Sequence, residues 1–150
     1  EYMKDLPKYY FECKVGDIPM QIISAKYGDA YYIDKVMSVY RMGVPTSWTA
    51  SQFSGDYKRK QEEYYQNMEV MYKVYDEDSK YRFHTEVESA TKRLRFLTYV
   101  NIRDFRNILS REFKKEYKEL DFRERFFIKF EYLLPMVYKL VRKAALYFKR

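Results

Sequence analysis

The stretch ECKVGDIPMQIISAKYGDAYYIDKVMSVYRMG, residues 12–43, holds two patterns of different period. Asp17-Ile18-Pro19 reads as a helix start, with Asp17 as N-cap and proline in the first turn. Ile18, Ile22, Ile23 and Ala25 then give a short apolar face, and Gly28 after Tyr27 is a natural stop. Residues 30–33 and 36–42 are rich in Tyr, Val and Ile and read as strands, with a bend at Asp34-Lys35. A loop over 43–47 leads to Trp48, the only tryptophan.

Working outward, residues 7–13 are aromatic and extended in character. Beyond Gly55-Asp56 the period changes. Tyr57, Tyr64, Met68, Met71 and Tyr75 recur at helical spacing, and Asp76-Glu77-Asp78-Ser79 breaks that pattern, with Ser79 or Asp78 as the cap of the next helix. Phe83, Val87, Ala90, Leu94 and Leu97 mark a second helix to about Asn101. Phe105, Ile108, Leu109 and Phe113 mark shorter helical pieces. Asp121 caps a last helix to Arg150, with a kink at Pro135. The expected fold class is α+β, mainly α: a helix-strand-strand unit over 1–50, then a helical tail over 51–150. Two strands and one helix cannot cover both faces of a sheet. The first unit therefore reads as the trailing end of a larger fold.

Composition narrows the function classes. The chain has 150 residues, the size of one ordinary domain, with an aromatic share of 20% that favours a packed core over disorder. Cys13 is the single cysteine, so an internal disulfide or a cysteine cluster for zinc is excluded, and it reads as a packed thiol. No run of eighteen apolar residues is present to span a membrane, and no signal peptide is visible. Acids and bases cancel over residues 1–50. The remaining hundred carry twenty-three basic and sixteen acidic residues, so the whole net charge of +7 lies there. Residues 135–150 contain five basic residues and no acid. Such asymmetry points to an anionic partner near the C-terminus.

The order Gly-Asp, amphipathic helix, Gly, AYYIDKVMSVYRMG and then SWT resembles the C-terminal part of a family 2 glycosyltransferase with the GT-A fold. The likeness covers roughly residues 9–50. It implies that 1–50 is the acceptor-side end of a GT-A catalytic domain. It also implies transfer of a sugar from a nucleotide-sugar to an acceptor hydroxyl with inversion, in cell-envelope polysaccharide or glycan synthesis. A divalent metal, Mg or Mn, would belong to the intact enzyme's N-terminal half, on an Asp-x-Asp motif, with none in these residues. By position Asp17 would be the general base, and Tyr40, Arg41 and Trp48 would contact acceptor or diphosphate. The family's acid pair is reduced here to Gly16-Asp17. The histidine that many members carry after Tyr-Arg is absent, and so is the Gln-x-x-Arg-Trp motif of processive synthases. The resemblance thus implies a non-processive enzyme, inactive as this piece alone, cytoplasmic or peripheral at the inner face of the membrane. Its partners would be a nucleotide-sugar donor and a glycan or lipid-linked acceptor, with no nucleic acid.

Plainer alternatives stand beside each residue. Asp17 from spacing alone is an N-cap, Asp29 and Asp34 are turn residues, and Tyr40 and Arg41 can be a strand end. Trp48 can be core, Lys14 solvated, and His84 an exposed or satisfied helix residue. On a helical wheel Phe126, Phe130, Leu133, Val137, Val141, Ala144 and Phe148 share one face, with Lys129, Lys139, Arg142, Lys143, Lys149 and Arg150 opposite. That face can pack on its own domain or lie on an anionic membrane surface. Without the resemblance, the charge and the basic-aromatic interleaving would indicate a basic helical binding module for nucleic acid or an acidic protein.

Overall fold

The computed structural model describes residues 6–13, 15–29, 31–38, 44, 47, 50–51 and 55–147, with the side chains of 27 and 145–147 left aside. The chain is mainly helical and divides into two compact units, Glu1–Thr98 and Tyr99–Arg150.

In the first unit, α1 (Lys8–Glu12) follows Pro7, and α2 (Asp17–Tyr27) ends at Gly28. The extended stretch expected at 7–13 is thus a short helix. Proline fixes φ near −65° and suits a helix entry, and burial of Tyr9 against α3 (Tyr57–Asp78) holds the turn in place. Asp56 caps α3, its carboxylate accepting the Arg59 N–H at 3.1 Å. Gly55 just before it adopts φ +68°, a left-handed conformation that favours glycine. Tyr9, Ile23, Met68 and Met71 form the core, with Cys13, Tyr64, Tyr72 and Tyr75 packed on its margin. Cys13 Sγ lies 3.7 Å from Met68 Sδ, as a packed thiol should.

Asp78 is the last residue of α3 and Ser79 its C-cap, so neither caps the next helix as expected; the chain turns through Lys80 and Tyr81, both at positive φ, before α4 (His84–Ile102) begins. Two consecutive non-glycine residues in that region cost about 1 kcal/mol or more each. The turn is held by the Tyr81 N–H, which donates to the Asp76 carbonyl at 2.8 Å. Farther along, Arg95 of α4 meets Glu62 of α3 at 2.6 Å and lies 4.4 Å over the Tyr65 ring. One guanidinium thus ties the two helices by charge and by cation–π attraction.

The expected helix-strand-strand unit is not found. Among the described residues there is no strand or sheet, and the fold class is helical rather than α+β. Residues 31–38 run in irregular conformation with Tyr31 89% and Val36 93% exposed. An alternating Tyr/Val pattern makes a strand only when a neighbour completes the ladder and covers one face. Among the described residues neither is present. The bend at Asp34-Lys35 does occur, with the Lys35 N–H reaching the Ile33 carbonyl at 2.8 Å. Residues 30 and 39–42 lie outside the described set.

The second unit begins within α4 and contains α5 (Phe105–Ile108), α6 (Lys114–Glu119), α7 (Phe122–Leu133) and α8 (Pro135–Tyr147). Ile108, Phe113 and Ile128 are its buried apolar residues, and Tyr99 meets Phe113 edge-on. Asp121 caps α7 in a full capping box with Glu124. The single last helix expected from Asp121 onward is two helices. The break falls at Leu134, because Pro135 lacks the N–H that would continue the ladder and disfavours helical geometry in the residue before it.

Candidate functional site

Asp17 opens α2, yet it is the first helical residue and not the cap. Gly16 occupies the N-cap position with φ −69° and ψ −21°, already helical values, and no side chain caps the helix. An N-cap needs extended backbone so that its side chain can fold back onto the second or third N–H. Helical backbone at Gly16 moves the start one residue earlier than the spacing suggested. Asp17 Oδ1 instead accepts the adjacent Ile18 N–H at 3.0 Å. The residue is exposed, and its charge complements the helix dipole from the first turn.

One phenol, Tyr64, feels the charge of Asp17. The Tyr64 hydroxyl is pushed above its usual range, first by burial and then by Tyr72, Cys13 and Asp17. Burial and Cys13 likewise raise Tyr72. These side chains come from three helices or their junctions, and only packing of α1 and α2 on α3 gathers them. Both phenols keep their protons at neutral pH and can donate hydrogen bonds. A carboxylate that can accept and a phenol that can donate are the two groups an alcohol ligand needs.

A cleft of about 580 Å³ lies elsewhere in the unit, lined by Tyr9, Ile22, Ala25, Lys26, Tyr75, Asp78, Ser79, Arg82 and Phe83. A smaller cavity of about 210 Å³ shares Ile22, Tyr75 and Phe83 with it. Its floor is aromatic, with Tyr75 and Phe83 stacked 6.1 Å apart and the Arg82 guanidinium 5.3 Å over Phe83. Lys26 sits nine residues after Asp17 on α2, about 13 Å along the axis. Cleft and carboxylate are therefore separate features of the same helix.

Of the residues singled out from sequence, the structure gathers only Asp17 into a describable setting. Tyr40, Arg41 and Trp48 lie outside the described residues, as does Lys14. Asp29 is exposed, and Asp34 accepts from the Tyr32 hydroxyl at 3.4 Å. The sequence passed over Tyr64, Tyr72 and the lining of the cleft, because helical spacing marks all of them as ordinary core. His84 proves to be tied to Asp76, eight residues earlier, across a turn with no local signature. Among the described residues no group of three or more His, Cys, Asp or Glu could hold a metal ion.

Comparison with known proteins yields no match to any protein-family model, to any curated protein or to any solved structure.

Proposed function

We propose that the chain forms the acceptor side of a non-processive, inverting glycosyltransferase, with Asp17 as the general base. The sequence likeness over residues 9–50 supplies the reaction class. The observation that carries it is the state of Asp17: an exposed carboxylate at the head of α2 that is not consumed in capping it. Cleavage of a nucleotide-sugar at its anomeric carbon needs an attacking alcohol that sheds its proton as the new bond forms. The acceptor oxygen bonds to the anomeric carbon, its proton passes to Asp17, and the nucleoside diphosphate leaves with the electron pair. A carboxylate within hydrogen-bond reach is a competent acceptor for that proton, and such help is typically worth about a hundred- to ten-thousand-fold in rate. Tyr64, whose hydroxyl feels the charge of Asp17, is the proposed donor to the incoming hydroxyl.

The test is made in the protein that carries both the donor-binding half and these residues. Asp17→Asn should lower the transfer rate by two to four orders of magnitude, with nucleotide-sugar affinity nearly unchanged because the donor is held elsewhere. Asp29→Asn, at the second Gly-Asp, should leave the rate close to the parent's. Retention of most of the rate by Asp17→Asn places the base elsewhere and removes the proposal's chemical core. The 150-residue chain alone should show neither transfer nor tight nucleotide-sugar binding.

A further inference from the structure

The sequence leaves the apolar face of the last helix two fates, packing on its own domain or lying on a surface. In the structure it does not pack. On α8, Met136 is 80% exposed and Leu140 69%, with Val137 and Val141 about half exposed. Contact with α7 is made at Tyr138, which meets the Phe130 ring edge-on at 6.1 Å. On α7, Phe122, Phe126 and Leu133 are exposed as well and share one helix face. A soluble surface rarely leaves so continuous an apolar face bare.

Charge identifies what covers it. At 100° per residue, Met136, Val137, Leu140, Val141 and Ala144 fall in one arc of about 140° and Lys139, Arg142 and Lys143 in a separate arc of about 100°. Residues 135–150 hold five basic residues and no acid. A protein partner would have to match a dense apolar stripe and an unrelieved basic edge together. A bilayer with anionic headgroups offers acyl chains below a sheet of phosphates, which is that combination. Among the described residues no helix is long and apolar enough to cross a membrane, so the helix would lie in the interface plane.

We propose that α8, extended by the exposed face of α7, docks this chain on an anionic lipid bilayer. Met136, Val137, Leu140 and Val141 enter the headgroup boundary while Lys139, Arg142 and Lys143 engage lipid phosphates. The proposal rests on exposure and charge alone and does not depend on the transferase assignment.

Co-sedimentation of the chain with two kinds of vesicle tests it: phosphatidylcholine alone, and phosphatidylcholine mixed with phosphatidylglycerol. Binding should appear with the anionic lipid and weaken steeply with salt. Replacing Lys139, Arg142 and Lys143 together by Gln should lower the partition coefficient roughly a hundredfold, at about fivefold for each charge. Leu140→Asp, at an exposed position, should remove binding while leaving the helical circular dichroism intact. The salt titration of the unaltered chain is decisive even if a variant misfolds. No binding to anionic vesicles, or binding indifferent to salt and lipid charge, overturns the proposal. So does a concentration-dependent dimer that Leu140→Asp dissociates without any vesicle binding, since a second copy would then be the cover.

Discussion

His84 Nδ1 lies 2.6 Å from the Oδ2 of Asp76, a carboxylate only 5% exposed whose Oδ1 is buried without a hydrogen-bond partner among the described residues. The pair closes the turn between α3 and α4, and Glu88 approaches the other ring nitrogen at 3.5 Å. The hydrogen bond to Asp76 is the main cause that raises the His84 pKa above its ordinary 6.5, with the charges of Asp76 and Glu88 adding to it and desolvation opposing.

A raised folded-state value means the folded protein holds this proton more tightly than the unfolded chain. The stabilisation is therefore complete below about pH 6.5 and is lost as pH rises through the folded value. Urea midpoints measured from pH 6 upward should fall across that window, and His84→Gln should flatten the fall. A parent curve already flat there would show that the pair does not couple folding to pH.

Met71 is fully buried at the centre of the first core, while its neighbour Val70 is exposed. Met71→Ala should lower unfolding free energy by about 2–5 kcal/mol through lost burial and the cavity left behind. Val70→Ala should stay within about 0.5 kcal/mol. Denaturant titration of both separates a core methionine from a merely helical one.

Asp121 accepts the Glu124 N–H at 2.6 Å, and Glu124 returns a contact to the Asp121 N–H at 3.1 Å. Asp121→Ala should cost about 1 kcal/mol, and hydrogen exchange should show the extra opening in the first turn of α7. Asp121→Ser, which keeps a capping oxygen, should recover most of it.

Asp17→Asn leaves no broken N-cap, because Asp17 is not the N-cap residue and Asn keeps an oxygen for the Ile18 N–H. Its cost to folding should be no more than about 1 kcal/mol, the usual scale of a charge meeting the helix dipole at an exposed first turn. Tyr64→Phe removes a hydroxyl and little volume. In the intact enzyme it should raise the acceptor KM more than it lowers kcat, with donor affinity unaltered. Steady-state kinetics with acceptor and donor varied in turn checks both expectations.

The helices were legible wherever a local signal and the apolar period agreed. Gly28 after Tyr27 and Asp121 before Phe122 mark ends that the structure places at the same residues, and the helical period that begins at Tyr57 starts α3 there. Capping and helical periodicity are properties of a few consecutive residues, so sequence carries them. Residues 31–38 failed for the converse reason. A strand is made by its neighbour, and alternating Tyr and Val cannot supply the second half of a ladder. The start of α2 shifted because the backbone at Gly16 is already helical, so no extended residue is left for Asp17 to serve as the cap.

The site followed the same division. Sequence singled out Asp17 by resemblance, but its exposed state and its place as first helical residue depend on where α2 begins, and the burial of Tyr64 and Tyr72 depends on α1 and α2 packing on α3. The Asp76–His84 contact needed a left-handed pair of residues that nothing in Lys80-Tyr81 announces. Charge and amphipathicity along residues 135–147 were fixed by sequence alone, since they follow from order and a constant 100° turn. Whether that apolar face is covered was decided only in three dimensions, because burial is a relation between elements and no element carries it by itself.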